Sequence, residues 1–259
     1  MMRARVLLVA LLIAMGVGTP LILANALAVD PHRPGPRTAL VTSADDQDAG
    51  ASGIARGAPP VVWTPVYEGS GPTKVGILGD SIANTTLDDL TSSLSTAPYQ
   101  LTSATFPGLT LETIVVSGWP SHLAGTHPDH VVVIAGTNDI NEVFEPWNGL
   151  VTLAEQGALV DALPFAEIHW VRPYLRPSDP APGLLDQAQG FNDGLGYWAA
   201  HRSNLHLVDW PACISYFTAR GVVVLRPDGI HPTDEGQTLL AYVVTRSILE
   251  STPPAGSQP

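Results

Sequence analysis

Cysteine is almost absent from this chain: Cys213 stands alone among 259 residues. No internal disulfide can form, and a metal site built on paired thiolates is excluded. Beside Trp210 and Ile214, Cys213 reads as a small buried hydrophobe, and no histidine in its immediate neighbourhood equips it as a nucleophile. Basic residues are also scarce, 12 Lys and Arg against 24 Asp and Glu, for a formal net charge of -12. A nucleic-acid surface needs clustered cations that displace counterions from phosphate, so no nucleic-acid partner is expected. With only 14% charged and 45% hydrophobic residues the chain is able to bury one sizeable core, while 24 Pro and 24 Gly imply irregular segments around it.

Long apolar runs are rare too, with one exception at the N-terminus. Arg3 and Arg5 precede residues 6–29, which are almost wholly apolar, and the chain turns polar at Asp30. This is the pattern of an export signal, and Ala26-Leu27-Ala28 supplies the small-x-small step after which cleavage is expected. The run is also long enough, at roughly 20 apolar residues, to remain as an uncleaved membrane anchor. Residues 1–28 are therefore read as signal peptide or anchor, with the remainder secreted or in the cell envelope. Residues 29–72, rich in Pro, Gly, Ala, Ser and Asp, lack a period that buries a face and read as a linker, except that 61–67 is suited to an edge element. The catalytic-domain candidate spans 73–250, followed by a polar tail at 251–259.

Within that domain short apolar runs alternate with amphipathic stretches, the form of strand-helix units around a parallel sheet. Five strands are expected at 74–78, 99–105, 130–135, 167–171 and 205–208. Val131-Val132-Val133-Ile134-Ala135 is continuously apolar, as in strands covered on both faces. Leu87, Leu90 and Leu94 mark one helix stripe, and Leu184, Ala188, Phe191, Leu195 and Trp198 mark another. A last helix begins after Pro232, with Thr233 as N-cap, Asp234 and Glu235 in its first turn, and Leu240, Val244 and Ile248 inward. The expected architecture is a three-layer α/β/α sandwich on a five-stranded parallel sheet, whose sites belong at the carboxyl ends of the strands.

Four polar clusters fall where this topology puts functional groups. Gly79-Asp80-Ser81-Ile82 follows the first strand and opens a helix, where unsatisfied N–H groups favour negative charge. Phe106-Pro107-Gly108-Leu109 follows the second strand, and Gly136-Thr137-Asn138-Asp139 follows the third; each by itself is only a turn. Asp228-Gly229-Ile230-His231-Pro232-Thr233 precedes the final helix, and its three-residue step lets the carboxylate hold one imidazole nitrogen while the other faces a serine.

Together these clusters resemble the SGNH (GDSL-type) hydrolase family over roughly residues 74–249. The family's first block is matched at Gly79-Asp80-Ser81, with Ile82 in place of the usual leucine. Its third is matched at Gly136-Thr137-Asn138-Asp139 and its fifth at Asp228-Gly229-Ile230-His231-Pro232, whereas the second is only approximate at Pro107-Gly108. The resemblance implies a flavodoxin-like fold, Ser81 as nucleophile, His231 as proton carrier and Asp228 as its orienting partner. It implies an oxyanion hole from the backbone N–H groups of Ser81 and Gly108 and the Asn138 amide, with no cofactor and no metal. Asp80 is then a loop-former and Asp139 a brace for the Asn138 loop. The α/β-hydrolase elbow is a poorer match for Gly79-Asp80-Ser81-Ile82-Ala83, because no strands precede the serine and the acid and base share one short step.

The expected activity is an exported serine esterase acting on a small-molecule, glycan or lipid ester. The alternatives are acyl transfer or deacetylation on a cell-envelope glycan or lipid and, from another class, a catalytically idle envelope-binding module. His32, His122, His127, His130, His169, His201 and His206 lack metal-ligand spacing and read as surface or strand-end residues. Trp119, Trp147, Trp170 and Tyr174 read as core or rim packing, with Trp147 and Tyr174 also candidates for a substrate groove. The loops at 141–149 and 173–183 are expected to set specificity. Composition fixes neither oligomeric state nor acyl length.

Overall fold

The computed structural model describes residues 64–67, 73–95, 99–141, 148–176 and 182–251. The N-terminal apolar run, most of the linker, Trp147, much of the two specificity loops and the tail after Ser251 lie outside these residues. The described elements are β1 (Thr64–Tyr67), β2 (Thr73–Gly79), α1 (Ser81–Leu94), β3 (Tyr99–Thr105), α2 (Leu111–Val116), α3 (Trp119–Ala124) and β4 (His130–Ile134). They continue with α4 (Thr137–Ile140), α5 (Gly149–Asp161), β5 (Glu167–Val171), α6 (Leu184–His201), β6 (Leu205–Val208), α7 (Trp210–Thr218) and α8 (Asp234–Ser251).

The sheet order is β1-β3-β2-β4-β5-β6. The five expected strands are all parallel, in the flavodoxin-like order. A sixth, β1, pairs antiparallel with the outer edge of β3, inside the stretch read as linker and at the segment singled out there as an edge element. Backbone pairing joins it to the sheet, and Pro65 is tolerated because an edge strand need not donate on its outer side.

Continuous apolar runs became strands buried on both faces: every residue of β4 is buried, as are Val75, Ile77 and Leu78 of β2. Helices α1 and α8 pack together against one face, while α2, α5 and α6 form the opposite layer. The inward stripe of α1 is Ile82, Ala83, Thr86, Leu90 and Leu94, so Thr86 takes the buried position that the leucine pattern assigned to Leu87. Leu240, Val244 and Ile248 of α8 are fully buried as expected, and Thr233 caps that helix by accepting from Gly236 N–H at 3.1 Å. Trp119 and Trp170 are core residues, whereas Tyr174 is half-buried at the rim. Burial pushes the Cys213 thiol up to about 12, which leaves it protonated and inert.

Parallel register puts His169 opposite His206, and His130 one step diagonal to His169, so the three rings cross the sheet as a ladder. One of them is neither the surface nor the strand-end residue expected: His169, mid-strand, has no exposed area, whereas His130 opens β4 and is buried there. His169 Nε2 lies 3.2 Å from His130 Nδ1, and its Nδ1 lies 2.8 Å from the Ser247 hydroxyl of α8. His206 stacks on His169 and is held at its Nε2 by Glu167, 2.6 Å away. Burial, with the neighbouring His130 and His206 acting in the same direction, pushes His169 down to about 3.

This ladder makes the fold acid-labile. A histidine depressed in the folded state binds its proton first in the unfolded chain, whose imidazoles titrate near pH 6.5, so stability is complete above that pH. It falls as pH drops from there toward 3, by up to about 1.4 kcal/mol per pH unit for one such group. Thermal melts of the parent and of His169→Gln are expected to show a steeper loss of Tm from pH 7 to pH 4.5 in the parent. Equal slopes would remove His169 from the acid response.

Candidate active site

Strand order reverses at β2: its two neighbours, β3 and β4, are reached in opposite directions, which opens a crevice beyond the carboxyl ends of β2 and β4. Into this crevice the chain turns at Gly79. A Cβ on Gly79 would run into the Ile134 carbonyl oxygen and approach Ala83 Cβ to 2.6 Å, so glycine alone lets the two strand ends meet. Asp80 N–H then donates to Ile134 O at 3.0 Å. Its side chain caps α1, with Oδ1 accepting from Ile82 N–H at 2.9 Å. Ser81 is in consequence the first residue of a helix, beside N–H groups that have no partner within it.

The end of β3 is drawn alongside by Phe106 N–H, which donates to Gly79 O at 3.1 Å. Beyond it Gly108 adopts φ +80° and directs the chain back across the crevice. After β4 the turn depends on Gly136, at φ +115°, where any side chain would also penetrate the Phe191 ring. Two residues of the following α4 grip the Gly108 loop. Asn138 Nδ2 donates to Leu109 O at 2.8 Å, and Asp139 Oδ1 accepts from Leu111 N–H at 2.9 Å. The sequence-predicted Gly108 and Asn138 are thus brought together, and one of the two Asn138 amide hydrogens is used in doing so.

From the other side comes the loop before α8. Asp228 Oδ1 accepts from both Ile230 N–H and His231 N–H at 2.9 Å, a tight turn through Gly229. Arg226 N–H to His231 O at 2.8 Å and Arg176 N–H to Gly229 O at 2.9 Å fix the loop to its surroundings. Asp228 Oδ2 lies 2.9 Å from His231 Nδ1, and His231 Nε2 lies 2.9 Å from Ser81 Oγ. An ionised carboxylate only accepts, so Nδ1 carries the imidazole proton and Nε2 accepts from the serine hydroxyl. Ser81, His231 and Asp228 are therefore joined in one hydrogen-bonded chain.

The acidic groups of the site differ sharply. Partial burial pushes Asp228 up, but hydrogen bonds from Ile230 N–H and His231 outweigh it and hold the carboxyl below its ordinary range. Asp80 is wholly buried, which raises it to about 7, helped by the charge of Asp139. Burial raises Asp139 to about 6. In each of Asp80 and Asp139 Oδ1 has its backbone donor, while Oδ2 is buried with no hydrogen-bond partner among the described residues. The loop-forming and bracing roles read from sequence agree with the Oδ1 contacts. The full burial of Asp80 was not read, although it stands immediately beyond the apolar strand β2.

The fold has known counterparts. A lipase/acylhydrolase from Enterococcus faecalis is similar in structure at a TM-score of 0.57 and 20% identity, covering 71% of this chain and 100% of that one. An α/β hydrolase from the metagenome of Lake Arreo, Spain, gives 0.59 at 17% identity, covering 71% of this chain and 98% of its own. A catalytic mutant of an acetylxylan esterase from Geobacillus stearothermophilus gives 0.58 at 16% identity, covering 69% and 94% respectively. At these identities the likeness is one of fold. No curated protein sequence matches the chain. Residues 77–239, more than half of the chain and the span from β2 into α8 that carries all four clusters, match the GDSL-like Lipase/Acylhydrolase family, and the chain belongs to that family.

Proposed function

We propose that this protein is an exported serine esterase that cleaves carboxylic esters through an acyl-enzyme on Ser81. The observation that carries this reading is the continuous chain Ser81 Oγ–His231 Nε2, 2.9 Å, and His231 Nδ1–Asp228 Oδ2, 2.9 Å. Ser81 Oγ attacks the ester carbonyl as Nε2 of neutral His231 takes its proton. Asp228 holds the tautomer and stabilises the imidazolium that results. His231 then returns the proton to the departing alcohol, and a water activated in the same way releases the acid.

The carbonyl oxygen gains negative charge during attack, and the Ser81 N–H, at the start of α1 where negative charge is favoured, is the first donor to it. The Gly108 N–H and the second amide hydrogen of Asn138 complete the hole. The bonds from Asn138 and Asp139 to the Gly108 loop keep the donors in place before the reaction, which is where such a hole gains its effect. No step calls on a metal or cofactor. The GDSL-like assignment supports an ester or acyl substrate; whether water or an envelope alcohol receives the acyl group rests with the loops at 141–149 and 173–183. Export rests on the apolar run at residues 6–29, and N-terminal sequencing of protein from the culture medium is expected to begin at Val29.

The direct test is hydrolysis of p-nitrophenyl esters from acetate to long chain, with acetylated xylan alongside. Short acyl chains are expected to be preferred, and no turnover of any ester would overturn the reading. Ser81→Ala is expected to abolish turnover with unchanged circular dichroism and Tm, since alanine fits the space. His231→Ala is expected to lose at least about 10²- to 10⁴-fold in kcat. Asp228→Ala is expected to lose less than His231→Ala, because Asp228 acts only through the imidazole. Full activity in His231→Ala, or a larger loss in Asp228→Ala, would contradict these roles.

A further inference from the structure

We propose that Asp80 serves the reaction as a neutral carboxylic acid, and that its ionisation switches hydrolysis down at alkaline pH. This rests on the esterase reading above and assigns the alkaline limb of that activity to a residue which makes no contact with substrate. The buried placement of Asp80 carries it. Asp80 has no exposed area; Oδ1 accepts from Ile82 N–H, and Oδ2 is buried with no hydrogen-bond partner among the described residues. The same residue is the N-cap of α1 and the chain neighbour of Ser81, so its carboxyl group and the developing oxyanion compete for one helix end.

Burial is what favours the neutral form of Asp80, helped by the charge of Asp139; it outweighs the backbone N–H groups of Ile82, Thr137 and Ala83, which favour the carboxylate. From α4 comes the Asp139 carboxylate, half-buried, with its Oδ2 buried and unpartnered among the described residues, and facing Glu112 of α2. From β4 comes only the Ile134 carbonyl, which accepts from Asp80 N–H. The nearest cationic candidate, the His231 imidazolium formed during attack, stands across Ser81 Oγ and is already matched by Asp228. The two aspartates of the site thus sit in opposed environments. Asp228, hydrogen-bonded three times and partly exposed, is ionised on the imidazole side; Asp80, buried, is neutral on the oxyanion side. A negative charge on Asp80 would offset the positive end of α1 at the moment that negative charge builds beside the Ser81 N–H. Burial sets the midpoint of that change at about 7. Asp80 is a positioning residue, acting through the Ser81 turn.

The experiment is the pH profile of kcat from 6 to 10 on a soluble p-nitrophenyl ester, for the parent, Asp80→Asn and Asp139→Asn. The parent is expected to lose about tenfold or more on the alkaline side, the effect of one added charge a few ångströms from the oxyanion. Asparagine keeps the Oδ1 cap but cannot ionise, so in Asp80→Asn the ratio of kcat at pH 9.5 to kcat at pH 7 is expected to return to near one. Asp139→Asn removes a neighbouring negative charge and is expected to move the midpoint of the decline to lower pH. Should Asp80→Asn not fold, infrared difference spectra of Asp139→Asn between pH 6 and 9 are expected to show a protonated buried carboxyl at the lower pH. An alkaline decline that persists in Asp80→Asn, or a spectrum without that carboxyl, would overturn the proposal alone. Absence of hydrolysis at every pH would overturn the esterase reading and this proposal with it.

Discussion

Everything in the crevice depends on how closely the carboxyl ends of β2 and β4 approach each other. The hydrogen bond from Asp80 N–H to Ile134 O requires a strand end with no side chain, and Gly79 provides it. Once that contact is made the chain must leave the sheet at Asp80, so α1 begins at Ser81 and its first N–H groups point into the gap. The partner strand obeys a similar constraint: Gly136 leaves β4 with a positive φ, and the packed Phe191 ring leaves no room there for a side chain. Asn138 and Asp139 then reach the Gly108 loop. The third loop, around His231, is shaped by itself, since Asp228 takes both backbone N–H groups that precede the imidazole.

The two ends of the sheet carry opposite electrostatic problems. At the carboxyl end, acids and a histidine gather where strands stop, and hydrogen bonds lower Asp228 while burial raises Asp80 to about 7. Toward the other end, His130, His169 and His206 cross the strands, with Ser247 of α8 on His169, and burial keeps His169 uncharged at neutral pH. The first arrangement serves chemistry and the second serves packing, yet both make the protein responsive to pH. Acid weakens the fold through the ladder, and alkali acts on the Ser81 turn.

Strand positions were legible because burial on both faces forces continuous apolar runs; β3, β5 and β6 coincide with the expected ranges, and β2 and β4 differ only at their ends. The short helices α2, α3, α4 and α7 were not read, since pieces of four to nine residues are too brief to establish a period. Nor was the histidine ladder: residues 39 apart in sequence become neighbours only through strand register. The site was legible in a different sense. Ser81 and His231 are separated by 150 residues, and no local pattern joins them. Family resemblance named both, along with Gly108 and Asn138, while Asp80 and Asp139 were recognised as loop residues without the burial that sets their protonation.

The most direct measurement of the central claim is covalent capture of the proposed nucleophile. The full chain is treated with a fluorophosphonate, digested and mapped by mass spectrometry, with His231→Ala treated in parallel. The account predicts one adduct, on Ser81, formed rapidly in the parent and slowly when the base is missing. An adduct on another residue, or labelling of Ser81 at the same rate without His231, would contradict it.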